Sequence, residues 1–173
     1  MKDILRNRLA LSTVVTTLII LVVSVLLAGV VTYFAINVTS TRVQEESLTL
    51  SYQHVWVAAD GTSVGAIMIT NTGGRDVVIN KIAIRGQAVD WATQVFADPA
   101  QDPDTDIAYA AAPADPYVKP TGNSLVLPSG NTVGVMITDP DSIGINDVGL
   151  TVAFTVFTSQ AMYYKETNVQ AHV

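Results

Sequence analysis

The feature that most constrains this chain is an uninterrupted apolar stretch close to its N-terminus. From Leu9 to Thr41, 33 consecutive residues carry no formal charge. As a helix rising about 1.5 Å per residue, this stretch would extend about 50 Å, whereas the hydrocarbon core of a bilayer is about 30 Å thick. A cleavable secretory signal has an apolar region of only about 7–15 residues. The stretch is therefore too long for a simple signal or a single span, and its extra length needs a second role.

The charged residues around this stretch predict its orientation. Lys2, Arg6 and Arg8 precede it, with Asp3 as the only acidic residue among them. Such a basic flank normally stays in the cytoplasm while the other end of the helix crosses the membrane. We therefore expect insertion into the cytoplasmic membrane with the N-terminus in the cytoplasm and the C-terminal part outside the cell.

The part of the chain beyond the apolar stretch is strongly acidic. From Glu45 onward there are 14 acidic and five basic side chains. A surface with this balance repels the phosphates of nucleic acids, so we expect no nucleic-acid partner. The chain contains no Cys, which excludes disulfides, thiolate metal sites and cysteine nucleophiles. No cofactor is expected.

One side of the predicted helix carries small or hydroxylic residues. At 100° per residue they fall within about 100° of one another, beside a continuous surface of Leu, Ile and Val. Small residues in a row let membrane helices approach closely, and this favours helix–helix contact. The alternative is a simple anchor in which small residues merely occur. The small-residue face consists of Thr13, Thr17, Ser24, Ala28, Thr32 and Ala35.

After the helix, hydrophobic residues alternate with polar ones, as is typical of strands. In SLTLSYQHVWVA one face is expected to carry Leu48, Leu50, Tyr52, His54 and Trp56. Further strands separated by turn signals are predicted in SVGAIMITN, VVINKIAIRG, SLVLPSG, NTVGVMITDP, NDVGLTVAFTVFTS and MYYKETNVQAHV.

The clearest inward-facing set of the predicted strands lies near the C-terminus and consists of Leu150, Val152, Phe154 and Val156. Residues 62–71 and 131–140 have similar sequences, as equivalent hairpins in the two halves of a sandwich would have. Six to eight short strands at this spacing predict a β-sandwich with immunoglobulin-like or Greek-key connections.

The sequence therefore predicts an α+β chain in which a long hydrophobic α-helix over residues 11–46 precedes an all-β sandwich over residues 47–173. Within the β part, residues 97–123 hold five of the seven prolines, which exclude a central strand. We expect this segment to be a long exposed loop.

Three carboxylates stand at alternate positions in that loop, at Asp102, Asp104 and Asp106. Calcium binds several such oxygens, so the three residues are weak candidates for a metal site. The spacing does not match an EF-hand, because Pro113 stands where the bidentate Glu belongs. A solvated acidic loop is the favoured interpretation, and no metal is expected.

The sequence predicts no enzymatic activity. Gly61 to Gly65 formally match G-x-S-x-G, which would make Ser63 a nucleophile. That motif needs a helix after the serine and a later acid and His, but here a strand is predicted, and the only later His is His172. Because His54 and His172 are far apart in sequence, we expect neither a metal site nor an acid–base pair.

The N-terminal segments MKDILRNR, ALSTVV and LIILVVSVLLAGVVTYFAINV, followed by an all-β remainder, resemble archaeal type IV pilin-like proteins, the class of archaellins and adhesion pilins. MITNTGGRDVVINKIAIRG is similar to a strand–turn–strand unit of their extracellular domains. The resemblance implies a class III signal-like leader over residues 1–10, cleaved between Ala10 and Leu11 by a prepilin peptidase. It also implies that the helix then leaves the membrane and packs with identical helices, driven by an assembly ATPase and platform.

The function expected on these grounds is that of a structural subunit of an archaeal extracellular filament, a type IV pilus or archaellum for motility or adhesion. The alternative is an uncleaved, membrane-anchored accessory protein whose β-sandwich binds the cell envelope or another protein. In either case Asn37, in the sequon Asn-Val-Thr, is a glycosylation candidate if it is accessible.

Overall fold

The computed structural model describes the backbone of residues 2–43 and 45–172, and the side chains of residues 11–40 and 45–172. The chain divides into two compact units, residues 1–43 and residues 44–173. The first unit is a helix, and the second is built from strands.

The first unit is one helix, α1, which runs from Lys2 to Val43 without interruption. No proline lies between these residues, so every backbone N–H beyond the first turn can join the helical hydrogen-bond ladder. The helix starts within the predicted leader, and Glu45 and Glu46 lie beyond its end. It is therefore longer than the predicted helix at its start and shorter at its end.

The second unit contains nine strands and one short 3-10 helix among its described residues. The strands are β1 (Leu48–Ala58), β2 (Ser63–Asn71), β3 (Val77–Ile84), β4 (Gln87–Ala88), β5 (Val95–Asp98), β6 (Leu125–Leu127), β7 (Thr132–Thr138), β8 (Thr151–Thr158) and β9 (Met162–His172), and the 3-10 helix is η1 (Ile145–Asp147). The α+β class, with an apolar helix before an all-β part, is thus confirmed. The sequence did not predict β4, β5 or η1.

The strands form one hydrogen-bonded series in the order β4-β3-β8-β9-β1-β2-β7-β5, and β6 pairs with β3. The neighbouring pairs are antiparallel except β1 and β9, which run parallel. The sheet curls until its two ends face each other. At Gly65 on β2, an added Cβ would lie 2.9 Å from Ile84 Cδ1 and 3.1 Å from Phe154 Cζ, so a larger residue there would have to displace these side chains.

The main hydrophobic core fills the inside of the curled sheet. Branched aliphatic side chains of β2 and β7 pack there against those of β3 and β8, as expected where two sheet faces meet. Of the predicted inward set on β8, Val152, Phe154 and Val156 are buried in this core, but Leu150 precedes the strand and is 46% exposed. The prediction for Leu150 is therefore wrong.

A β-bulge in β1 reverses the face predicted for its second half. The pairing with β2 passes from Ser51↔Met68 to His54↔Ala66, so β1 holds one extra residue there, and Tyr52 has a positive φ of 49°. An extra residue moves all later side chains to the opposite face. Leu48 and Leu50 accordingly share the core with Val55 and Val57. Tyr52, His54 and Trp56 do not, and the single predicted face is wrong beyond Leu50.

The two similar sequence segments are direct neighbours. β2 and β7 pair antiparallel over seven residues, from Val64↔Thr138 to Thr70↔Thr132. They therefore lie side by side in the curled sheet and are not equivalent positions in two opposed halves.

Candidate functional site

The first candidate site is the apolar surface of α1. All described side chains of the helix, from Leu11 to Ser40, are exposed. Among the described residues this is the one helix long and apolar enough to cross a membrane, which is typical of an anchor or a secretion segment. An apolar surface of this size must be covered by lipid or by protein.

The hydroxyl groups of the small-residue face bond within the helix. Thr17 Oγ1 donates to the carbonyl of Val14 at 2.9 Å, and Ser24 Oγ donates to that of Leu21 at 2.8 Å. Thr32 Oγ1 donates to the carbonyl of Ala28, also at 2.8 Å. Because these hydroxyls are satisfied by their own backbone, the face presents short methyl and methylene groups to a neighbouring helix. Thr13 and Ala35 are exposed on the same side.

The predicted processing and modification sites both fall on α1. The helix continues through the proposed cleavage position; Leu11 is exposed, and the side chain of Ala10 lies outside the described residues. Asn37 is exposed, and its Nδ2 donates to the carbonyl of Tyr33 at 3.0 Å. Cleavage and glycosylation both remain predictions.

The second candidate site is the outer face of β2 and β7, which the Pro- and Asp-rich segment covers. Val64, Met68 and Met136 form a second apolar cluster there, and Ile107 of that segment is buried among them. The segment thus packs over this face, and its first two residues belong to β5. The prediction of a long, mostly exposed loop is therefore confirmed from residue 99 onward, but it is wrong for Ala97 and Asp98, which belong to β5, and for the buried Ile107. We call residues 99–124 the covering loop.

The covering loop also contacts β1 and β9 through aromatic rings. His54 stacks on Trp56 at 4.9 Å between ring centroids, Trp56 meets the edge of Tyr109 at 5.9 Å, and Tyr109 stacks on His172 at 3.7 Å. Asp106 accepts a hydrogen bond from His54 Nε2 at 3.0 Å. Distance in sequence does not predict this contact, which forms because the covering loop packs against β1. Both side chains are partly exposed, so this contact contributes little stability.

The three aspartates of the covering loop do not converge. Asp102 Oδ1 accepts the backbone N–H of Asp104 at 3.0 Å, which closes a local turn, while Asp106 faces His54. The described residues hold no group of three or more acidic, His or Cys side chains that could bind a metal ion.

Ser63 occupies a buried position at the start of β2. Its Oγ donates to the carbonyl of Ile143 at 3.3 Å, and a strand follows it where a hydrolase would have a helix. The arrangement of a nucleophile elbow is therefore absent around Ser63.

No family model matches the chain, and no curated protein matches it. Among solved structures, the chain is similar to the PCuAC domain of apo PmoF2, with 12% identity and a TM-score of 0.45 over 73% of this chain and 95% of that domain. It is also similar to part of a β-glucosidase from Listeria innocua, with 14% identity and a TM-score of 0.29 over 75% of this chain and 16% of that enzyme. Both TM-scores are too low for either likeness to carry an argument about function.

Proposed function

We propose that this chain is a structural, non-enzymatic subunit of an archaeal extracellular filament, a type IV pilus or archaellum. The observation that carries the proposal is α1, in which the 30 consecutive residues from Leu11 to Ser40 are apolar enough to span a membrane and are all exposed. The hydrocarbon core of a bilayer needs only about 20 such residues. Identical helices packed side by side would cover the remaining length as well.

Hydrophobic burial supplies the gross driving force for such packing. If each helix buries on the order of 1,500 Å² of apolar surface, the gain relative to water is roughly 35–40 kcal/mol at about 25 cal/mol per Å². The subunit starts in lipid, however, where most of this gain is already realised. Close packing along the small-residue face must therefore direct assembly, and an assembly ATPase and its platform supply energy.

The remaining parts of the chain have defined roles in this proposal. The leader, residues 1–10, keeps the precursor in the cytoplasmic membrane until a prepilin peptidase cuts before Leu11. The β unit then forms the outer surface of the filament. Its curled sheet is proposed to be a variant of the Greek-key sandwich, because the two ends of the sheet enclose one core.

Enlarging one residue of the small-residue face tests the proposal. Ala28→Leu places a longer side chain where neighbouring helices approach most closely, so we expect filament yield to fall at least about tenfold, the effect of about 1.4 kcal/mol. The measurement is electron microscopy and sedimentation of filaments sheared from cells that produce the variant.

Val30→Leu is the matched control. Val30 lies about 160° around the helix from Ala28, at nearly the same depth, and it is also exposed. This variant adds apolar volume without changing the small-residue face, so its filaments should form normally. Equal yields from the two variants would refute the proposed packing.

The N-terminus of the protein in isolated membranes and filaments separates the proposal from its alternative. Mass spectrometry should find a chain that begins at Leu11 in filaments. A chain that keeps its leader and occurs only in membranes would instead identify a permanently anchored accessory protein.

A further inference from the structure

A pocket of about 400 Å³ lies between the covering loop and the outer face of β5 and β7. Apolar groups, among them Ile107 and Met136, form part of its lining. Asp98, Gln101 and Tyr117 bring polar atoms to the same space. Pockets that combine apolar walls with a few convergent polar groups are the usual form of small-ligand sites.

A glycine makes room for these polar groups. Gly134 on β7 pairs with Asp98 on β5, and an added Cβ at Gly134 would lie 2.9 Å from Gln101 Oε1 and 3.2 Å from Tyr117 Oη. Tyr117 Oη donates to Gln101 Oε1 at 3.1 Å. Because residue 134 has no side chain, the two polar side chains can lie directly on the sheet.

The lining of the pocket is negatively charged. Asp98 is only 5% exposed, and its Oδ1 accepts the backbone N–H of Ala100 at 2.9 Å. Among residues 45–172 the close contacts between basic and acidic side chains are His54–Asp106 and Arg85–Asp147, so no basic side chain of this part neutralises Asp98. Asp115 and Asp106 line the pocket as well, although Asp106 also contacts His54, and none of the described residues that line it is Lys, Arg or His. Burial and the charge of Asp98 both raise the pKa of Tyr117.

We propose that this pocket binds a primary alkylammonium group, with Asp98 as its principal counter-ion. A nearly buried carboxylate without a cation is unfavourable, and an ammonium ion offers three N–H donors to the acceptors around it. The apolar walls suit the attached carbon chain, and the ring of Tyr117 adds a face that attracts cations. Anions are repelled, and a neutral ligand would leave Asp98 unpaired. The ammonium group belongs either to a lysine side chain of a protein or to a free amine.

Titration of the full-length protein in detergent micelles, followed by amide NMR, tests this site. Nα-acetyl-lysine methylamide represents the protein side chain, and putrescine represents the free amine. We expect saturable shifts of amides that line the pocket, with a dissociation constant of about 1 mM for so small a ligand. The probe with the lower dissociation constant shows whether the pocket favours a lysine side chain of a protein or a free amine. The same lysine derivative with an acetylated Nε has no charge and should not bind.

Variants of the pocket separate binding from folding. Asp98→Asn keeps an oxygen for the Ala100 N–H but removes the charge, so affinity for either amine should fall at least about tenfold. Gly134→Ala should also weaken binding, because its Cβ displaces Gln101 and Tyr117. Asp141→Asn makes the same charge change at an exposed position outside the pocket and should bind like the wild type.

Three results would overturn the proposal: no saturable shifts in the folded wild type, equal affinity of the Nε-acetylated derivative, or unchanged affinity in folded Asp98→Asn. The filament proposal is tested on a different part of the molecule, so either proposal can fail alone.

Discussion

At the scale of single residues, Asn71 connects three backbone segments. Its side chain is fully buried; Nδ2 donates to the carbonyls of Arg75 at 2.8 Å and Leu127 at 3.0 Å, and Oδ1 accepts the N–H of Gly73 at 3.0 Å. These bonds tie the end of β2 to the following turn and to the end of β6. No hydrophobic pattern predicts such a residue, because its importance comes from the carbonyls that the fold brings to it.

Asn71→Ala should lower the free energy of unfolding of the β unit by about 1–3 kcal/mol, because the carbonyls of Arg75 and Leu127 lose their donor, and the bond to Leu127 is buried. Urea titration followed by fluorescence of Trp56 and Trp91 measures this. Asn146→Ala is the control, since Asn146 is exposed and should change stability by less than about 0.5 kcal/mol. Similar losses in the two variants would contradict this account of Asn71.

A second residue-scale prediction concerns acid stability and Asp147. Its pKa is lowered, first by the N–H of Gly144, which donates to Oδ2 at 2.9 Å, and then by Arg85, whose Nη1 donates to Oδ1 at 2.8 Å. A carboxylate with a lowered pKa in the folded state stabilises the fold above its unfolded pKa of about 3.9. This stabilisation is lost as the pH falls through the lower folded value.

The melting temperature of the wild type should therefore exceed that of Asp147→Asn at pH 7, and the difference should shrink steadily below about pH 4. Circular dichroism between pH 7 and 2.5 measures it. Arg85→Gln keeps the hydrogen bond from Gly144, which is the larger cause of the lowered pKa of Asp147. The melting temperature of this variant should therefore fall with pH nearly as that of the wild type does. A constant difference between wild type and Asp147→Asn at every pH would refute the assignment.

At the scale of elements, the sequence predicts where strands lie better than how they pair. Alternation and turn residues place β2 at its observed bounds, and proline content identifies the segment after β5. The bulge in β1 depends on its pairing with β2, and the parallel pairing of β1 with β9 joins the two ends of the unit. Neither leaves a local signal, so the series of ring contacts that runs from His54 through Trp56 and Tyr109 to His172 could not be predicted.

The attachment of the covering loop gives an element-scale prediction. Ile107 is 3% exposed and packs in the apolar cluster above β2 and β7, so Ile107→Ala should cost about 2–4 kcal/mol and release the loop. Hydrogen exchange should then rise across residues 99–124 and in β5, while β3 and β8 change little. Val126→Ala, at an exposed position, serves as the control. An unchanged exchange pattern in the loop would show that other contacts hold it.

At the scale of the whole molecule, composition alone divides the chain correctly into an apolar helix and a polar β unit. The predicted boundary lies three residues beyond the end of α1, because uncharged residues and helical residues need not end together. The order of the nine strands in the curled sheet depends on pairing between segments that are distant in sequence, so no single segment predicts it.

The β unit, which filaments would expose, carries 14 acidic and five basic side chains. Neighbouring β units of like charge repel each other over about 30 Å at 0.01 M salt but only about 8 Å at 0.15 M. Raising salt across this range should therefore lower the critical concentration for assembly of detergent-extracted subunits about three- to tenfold, as measured by sedimentation.

Removing charge from the covering loop should reproduce part of the salt effect. The double variant Asp102→Asn, Asp104→Asn should assemble at a lower concentration than the wild type in 0.01 M salt and should depend less on added salt. Asp102 Oδ1 accepts the N–H of Asp104, and an asparagine oxygen preserves that turn, so the change acts mainly through charge. A critical concentration that rises with salt would show instead that attraction between opposite charges holds neighbouring β units together.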